Sequence, residues 1–297
     1  MEFVTRSRTR LQRFRDHIPV LGEVLGHPLG ALGFVIVLSF VLTVIFAPLL
    51  APYGYADQDI PSRLQGPSRQ YLLGTDHIGR DLLSRLIYGS RIALGVALPA
   101  MGIALSGGLI LGLLAGYLGG FADNVVLVFL DTFSSIPALM LALTFMVLLG
   151  PSLLNLIVVI GLSWAPGYAR IVRAQVLAAK QNAYVEAERS LGASSWRIAQ
   201  RHIVPNILPP LLIMAAMDLP WVIIFEAGLS FLGMGVRPPT PSWGAILADG
   251  YAKIRQSPWP ITWAGLALIL TTLGFTLLGE TLRDVLDPRL AEAREGK

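Results

Sequence analysis

Three carboxylates, Asp131, Asp218 and Glu226, lie in stretches that are otherwise apolar enough to cross a bilayer. A charged group is costly there and normally faces a bundle interior or a wet cavity, which makes each a candidate for a pathway or for buried chemistry. Asp218 and Glu226 stand eight residues apart, on neighbouring faces of a helix, and could act as an acid and base pair in an intramembrane enzyme. No nucleophile, histidine partner or metal-ligand cluster accompanies them, so lining or buttressing a translocation path is the simpler role. A second group, Asp76, His77 and Asp81, offers oxygen and nitrogen donors to a metal without a shared face to present them. Its plainer reading is a solvated cap in which Asp76 and Asp81 pair locally with Arg80 and Arg85, each pair worth under ~1 kcal/mol. The chain has no cysteine, which excludes disulfides and thiolate metal sites. It has no G-x-x-x-x-G-K-S/T phosphate loop either, because its one Gly-Lys pair is Gly296-Lys297.

The elements that must hold these residues are membrane helices. Apolar residues make up 54% of the 297 and charged residues 14%, against about 25% charged in soluble domains. Mean hydropathy is +0.63. The expectation is an all-α polytopic membrane protein with six transmembrane helices. A net charge of +4 raises nucleic acid as a partner, but the basic residues flank apolar runs, so membrane topology explains them and no nucleic acid is expected. Residues 1–27, with arginines at 6, 8, 10, 13 and 15, read as a cytoplasmic tail near anionic headgroups. The following apolar run exceeds the ~7–15 residues of a signal-peptide core, and residues 28–50 are the first span. Residues 51–91 are extramembrane. Residues 92–283 form a five-helix core with spans near 92–115, 124–149, 152–169, 206–232 and 261–278. The third of these is interrupted by Asp131 and Pro137. Within the core lie polar loops at 170–205 and 233–260, the second with Trp243 and Trp259 placed like interfacial anchors. Residues 284–297 are a C-terminal tail.

The longest strongly polar interval between apolar segments runs from Asn182 to Pro209. Tyr184, Ala187 and Leu191 fall at i, i+3 and i+7 and form one apolar stripe, with Glu186 and Glu188 facing elsewhere. Gly192 suits a helix C-terminus that needs positive φ, and Ser194 or Ser195 suits the cap of a second helix through Trp196, Ile198 and Ile203. Pro205, Pro209 and Pro210 are expected to stop or bend that helix.

Glu186-Ala187, Gly192 and Ile203-Val204-Pro205 together resemble the cytoplasmic EAA loop of permease subunits of bacterial ABC importers. Gly74-Thr75-Asp76, Gly79-Arg80-Asp81 and Ser84-Arg85 look like the segment before the second span in permeases of the dipeptide, oligopeptide and nickel importers. The stretches Glu226 to Gly233, Pro238 to Gly244 and Leu282 to Leu290 resemble the same family, and the likeness covers about residues 28 to 290. It implies the type I ABC importer permease fold, in the C-type subunit of a permease pair. It implies that Tyr184, Glu186, Ala187, Glu188, Leu191, Gly192, Ile203 and Pro205 couple to an ATPase through a coupling helix. It implies that Gly74, Thr75, Asp76, Gly79, Arg80 and Asp81 form a periplasmic motif. The expected partners are a second permease of similar fold, two ATP-binding subunits and a periplasmic or extracellular solute-binding protein. ATP and Mg belong to those subunits, and no cofactor is expected in this chain. Two positions depart from the pattern. Glu188 replaces the second alanine, adding a charge expected to bear on the choice of ATPase, and Val204 replaces the leucine before proline.

Six spans put both termini on one side. Lys and Arg number fifteen in the two tails and the 170–201 loop, against eight in 53–91 and 233–261, which favours cytoplasmic termini in a bacterial inner membrane. The function this implies is half of the pathway of an ATP-driven importer of di- or oligopeptides, with nickel or a metal chelate as the alternative cargo. An intramembrane enzyme using Asp131, Asp218 or Glu226 and a secondary transporter or channel are the competing classes. The second of these lacks a visible internal repeat.

Overall fold

The structure is a computed structural model that describes residues 17–286. The N-terminal arginines and the block from Asp287 to Leu290 lie outside these residues. Among the described residues the chain is helical: α1 His17–Gly26, α2 Pro28–Ile45, α3 Ala47–Leu50, α4 Leu82–Leu113, α5 Gly120–Ser134, α6 Ala138–Leu149, α7 Leu153–Ala179, α8 Ala183–Ser190, α9 Ser195–Ile198, α10 Val204–Phe231, α11 Trp243–Ala252 and α12 Trp259–Leu286. Five helical stretches are long and apolar enough to cross a membrane. Helices α5 and α6 make a sixth when counted as one span bent by 86° at the break before Ala138. The bend is where Asp131 and Pro137 marked an interruption.

Small residues let the two central helices meet backbone to backbone, the packing that bundles in lipid rely on. A Cβ on Gly108 of α4 would run into the Tyr168 Cβ of α7, and one on Gly112 would lie 2.6 Å from the Ala169 carbonyl oxygen. Helix α12 packs against α2, α10 and α11.

Boundaries differ from the sequence expectation at four places, the simplest being α12, which runs on to Leu286 instead of ending near 278. Helix α4 starts at Leu82, ten residues before the apolar run, because the Asp81 carboxylate caps it by accepting from the Ser84 N–H at 2.7 Å. The helix after the 74–81 turn is therefore the first part of a long one. Helix α7 runs on to Ala179, past Arg170. The prolines do not end the second limb of the polar loop: Ser195 to Phe231 is helical throughout. Pro205 falls in the first turn of α10, directly after a π turn at Ala199–Ile203 whose wider register accommodates the ring, and Pro209 and Pro210 are carried inside α10.

Trp243 is not an interfacial anchor. It is 3% exposed, donates from Nε1 to the Leu86 carbonyl at 2.9 Å, and sits 5.8 Å from the Phe40 ring. An indole is buried readily when its one donor is satisfied in this way.

Candidate functional site

The polar loop folds as a hairpin rooted in the bundle. Helix α8 ends where Gly192 takes φ +82°, and the Ala193 N–H reaches back to the Glu188 carbonyl at 3.0 Å, the six-to-one bond of a Schellman ending. Ser194 then caps the second limb, its hydroxyl oxygen accepting from the Arg197 N–H. Val185, Ile198 and Ile203 are fully buried in the same apolar cluster as Val176 and Ala179 of α7. The expected stripe faces the other way. Tyr184 is 38% exposed, Leu191 84% and Trp196 68%, with Glu186 and Ala187 also exposed. The hairpin thus spends three aliphatic residues on anchoring and holds an apolar tip outward, where water alone would not favour it. Val185 escaped the sequence reading because it lies beside the stripe. The five-residue step from Ile198 to Ile203 was a legible sign of the π turn.

Glu188 is only partly presented to solvent. Its Oε1 lies 3.3 Å from His202 Nε2 on the second limb, a charged pair when His202 is protonated. The Tyr184 and His202 rings are 6.3 Å apart.

Helix α7 is fixed to its neighbours just before the hairpin. Lys180 Nζ donates to the Gly116 and Tyr117 carbonyls at 3.2 and 2.9 Å, placing a cation at the end of the α4 rod. Arg173 makes a two-pronged pair with Asp123 of α5 at 2.5 and 2.7 Å, and Arg170 Nη2 reaches Asp131 at 2.9 Å and Ser134 Oγ at 2.9 Å. The sequence reading had not paired these residues.

The 74–85 turn lies at the opposite end of α4 and is not a solvated cap. Gly74 and Gly79 both have positive φ, and a Cβ on Gly79 would run into the Asp59 carbonyl. Thr75 and Asp81 form an antiparallel bridge, and the Thr75 hydroxyl donates to the Ser62 carbonyl. Asp76 is 3% exposed. Its Oδ1 accepts from the N–H groups of Ile78 and Arg80, both at 3.0 Å, and its Oδ2 from Arg80 Nε at 2.6 Å. Arg85 Nε lies 3.5 Å from the same oxygen. The pairs are buried because the 53–66 segment and residues 237–249, which include the start of α11, close over them, which local spacing could not reveal. Asp76 is committed to arginines and backbone rather than to a metal with His77 and Asp81, and among the described residues no cluster of three such ligands occurs.

The membrane carboxylates do not converge. Asp218 is partly buried and accepts from the Tyr168 hydroxyl at 2.6 Å, whereas Glu226 is buried and accepts from Ser230 Oγ at 2.6 Å one turn on. Asp131 pairs with Arg170 on another helix. Each has its own partner, and no acid and base pair is assembled.

Residues 108–292 match the family described as binding-protein-dependent transport system inner membrane component, and residues 24–67 match the N-terminal transmembrane domain of oligopeptide transport permease C. A dipeptide transport system permease protein of Alkalihalophilus pseudofirmus is 38% identical over 262 residues, 88% of this chain and 86% of that one. A di/tripeptide transport system permease protein of Pseudomonas aeruginosa is 39% identical over 278 residues, 91% and 92% of the two chains. A nickel transport system permease protein of Escherichia coli is 37% identical over 259 residues, 87% and 94%. Among solved structures, an inward-facing methionine ABC transporter gives a chain with TM-score 0.57 at 21% identity, covering 69% of this chain and 98% of that one.

Proposed function

The chain belongs to the family of inner-membrane components of binding-protein-dependent transport systems, and from that premise we propose that it forms half of a peptide pathway driven by separate ATP-binding subunits. The hairpin carries this reading. A rooted element with an exposed apolar tip is what a force-transmitting contact requires: Val185, Ile198 and Ile203 tie it to the bundle, while Tyr184, Ala187, Leu191 and Trp196 remain for a partner's groove.

In this account Glu186 borders the docking face, Gly192 sets the angle between the limbs, and Ile203 and Pro205 join the second limb to α10. Motion of the docked subunit passes along α9 and α10 without a break, and through Lys180, Arg173 and Arg170 to α4 and α5. Alternating access follows if ATP-driven closure favours one arrangement of these helices over the other. The basic bias puts the hairpin and both tails in the cytoplasm and the 74–85 turn outside. A second permease of similar fold completes the pathway, and an external binding protein delivers the solute. Glu188 adjusts the choice of ATP-binding subunit through the set of the limbs, since its charge is partly taken up by His202. Peptide is the proposed cargo because the dipeptide and di/tripeptide relatives match over nearly the whole chain, and nickel is the second reading because one relative carries that name at 37% identity.

The test is reconstitution with the partner subunits in liposomes. ATP-dependent uptake of a labelled dipeptide that vanishes without the ATP-binding subunits is the expected result. Uptake by this chain alone, or uptake of nickel but not peptide, would contradict the corresponding part of the reading.

A further inference from the structure

At the end of the molecule opposite the hairpin, a pocket of about 200 Å³ lies between the 74–85 turn and the segment that follows α10. Arg80 and Arg85 form one wall, 6% and 3% exposed. Their donors are only partly used. Arg80 gives Nε to Asp76, and Arg85 gives Nη1 to the carbonyls of Tyr55 at 3.2 Å and Pro239 at 3.5 Å. Arg85 Nε is sealed from solvent and has no hydrogen-bond acceptor.

The nearby carboxylates do not make up the difference. Asp81 is held by Ser84 at the start of α4, and Glu226 by Ser230. Asp249 of α11 stands off, its Oδ2 3.9 Å from Arg80 Nη2 and 3.8 Å from His77 Nδ1, with a side chain 41% exposed. Two buried guanidiniums therefore share one firm carboxylate, Asp76, and a buried cation without a close partner is expensive. The remaining walls are mainly apolar, with Phe231, Val236, Ala245 and Ala248 among them. The volume suits a planar anion on a short carbon stem, and a fork of guanidinium donors matches a carboxylate better than a single ammonium would.

We propose that this pocket binds the carboxylate end of a small solute, gripped by Arg80 and Arg85, with Asp249 as the counter-ion that the ligand displaces. The site is independent of where ATP-binding subunits dock and of which solute crosses the membrane. A free organic acid and a peptide C-terminus present the same group.

The full-length chain in lipid nanodiscs is titrated calorimetrically with N-acetylglycine, with its neutral amide, and with alanyl-alanine. Saturable binding of the acid and none of the amide is expected. Asp249→Asn removes the competing charge and tightens the acid about fivefold, the order expected of one partly screened charge nearby. Arg85→Lys keeps the charge but loses the fork and weakens it about tenfold. Alanyl-alanine binding as well as N-acetylglycine assigns the site to peptide termini, and a preference for the blocked acid assigns it to organic acids. Equal binding of acid and amide, weaker binding in Asp249→Asn, or no binding in either the parent or Asp249→Asn overturns the proposal. If Arg85→Lys fails to fold, the Asp249→Asn result decides, since Asp249 is partly exposed and its carboxylate makes no close pair.

Discussion

The two ends of α4 treat polarity in opposite ways. At the Leu82 end, a turn of formally charged residues is folded inward: Asp76, Arg80, Asp81 and Arg85 are all buried and mostly bonded to one another or to backbone. At the end held by Lys180, the hairpin buries Val185, Ile198 and Ile203 and leaves Tyr184, Leu191 and Trp196 outside. Charge therefore does not mark the surface here, nor apolarity the core. The turn folds its charges inward and pairs most of them, leaving Arg85 Nε without an acceptor, whereas the hairpin keeps an apolar tip outside for the contact proposed above.

Substitutions should separate the two. Asp76→Ala leaves Arg80 and Arg85 without their shared carboxylate and is expected to cost about 3–5 kcal/mol or prevent folding, read as loss of a monodisperse peak and of thermal stability in detergent. Leu191→Asp is expected to leave stability within about 0.5 kcal/mol, because the residue lies on the surface, while ATP-dependent uptake falls to background. A large loss of stability in Leu191→Asp, or none in Asp76→Ala, would erase the contrast. Gly192→Val has open space around it, so only the left-handed backbone is strained; about 1–2 kcal/mol is expected, with weaker subunit assembly. Glu188→Ala removes a half-screened pair with His202 and should cost less than about 1 kcal/mol, with any shift in partner preference read by competitive co-purification.

The smallest effect concerns acid. Hydrogen bonds from Ser62 and then Tyr71 hold the Asp59 carboxyl below its ordinary value of 3.8. A carboxylate lowered in the folded state adds stability above its unfolded pKa, and that stability is lost as pH falls below it. Tyr71→Phe should lower thermal stability slightly at pH 7 and flatten the acid limb, so that the variant and the parent converge as pH falls below about 4.

The helices and the hairpin were legible because apolar runs, Gly192 and Ser194 are local signals. Burial of the 74–85 charges was not, because Asp59, Gln65 and the segment from Pro238 to Asp249 that cover or contact the turn are distant in sequence. The start of α4 was hidden for a related reason: Asp81 and Arg85 look like the end of a membrane segment until their partners are known. Prolines 205, 209 and 210 read as stops or bends, and the helix does not stop at them: it continues from a π turn into α10. Asp218 and Glu226 were visible as unusual, but their separate bonds to Tyr168 and Ser230 depend on side-chain direction.

The absence of cysteine allows the central claim to be tested with one introduced thiol. A photoactivatable maleimide is attached at Leu191→Cys on the hairpin or at Leu72→Cys, exposed on the opposite side, in the assembled transporter. The account predicts that the Leu191 probe cross-links to an ATP-binding subunit, with a yield that changes when nucleotide is added, and that the Leu72 probe does not. A cross-link from Leu72 to that subunit, with none from Leu191, would contradict it.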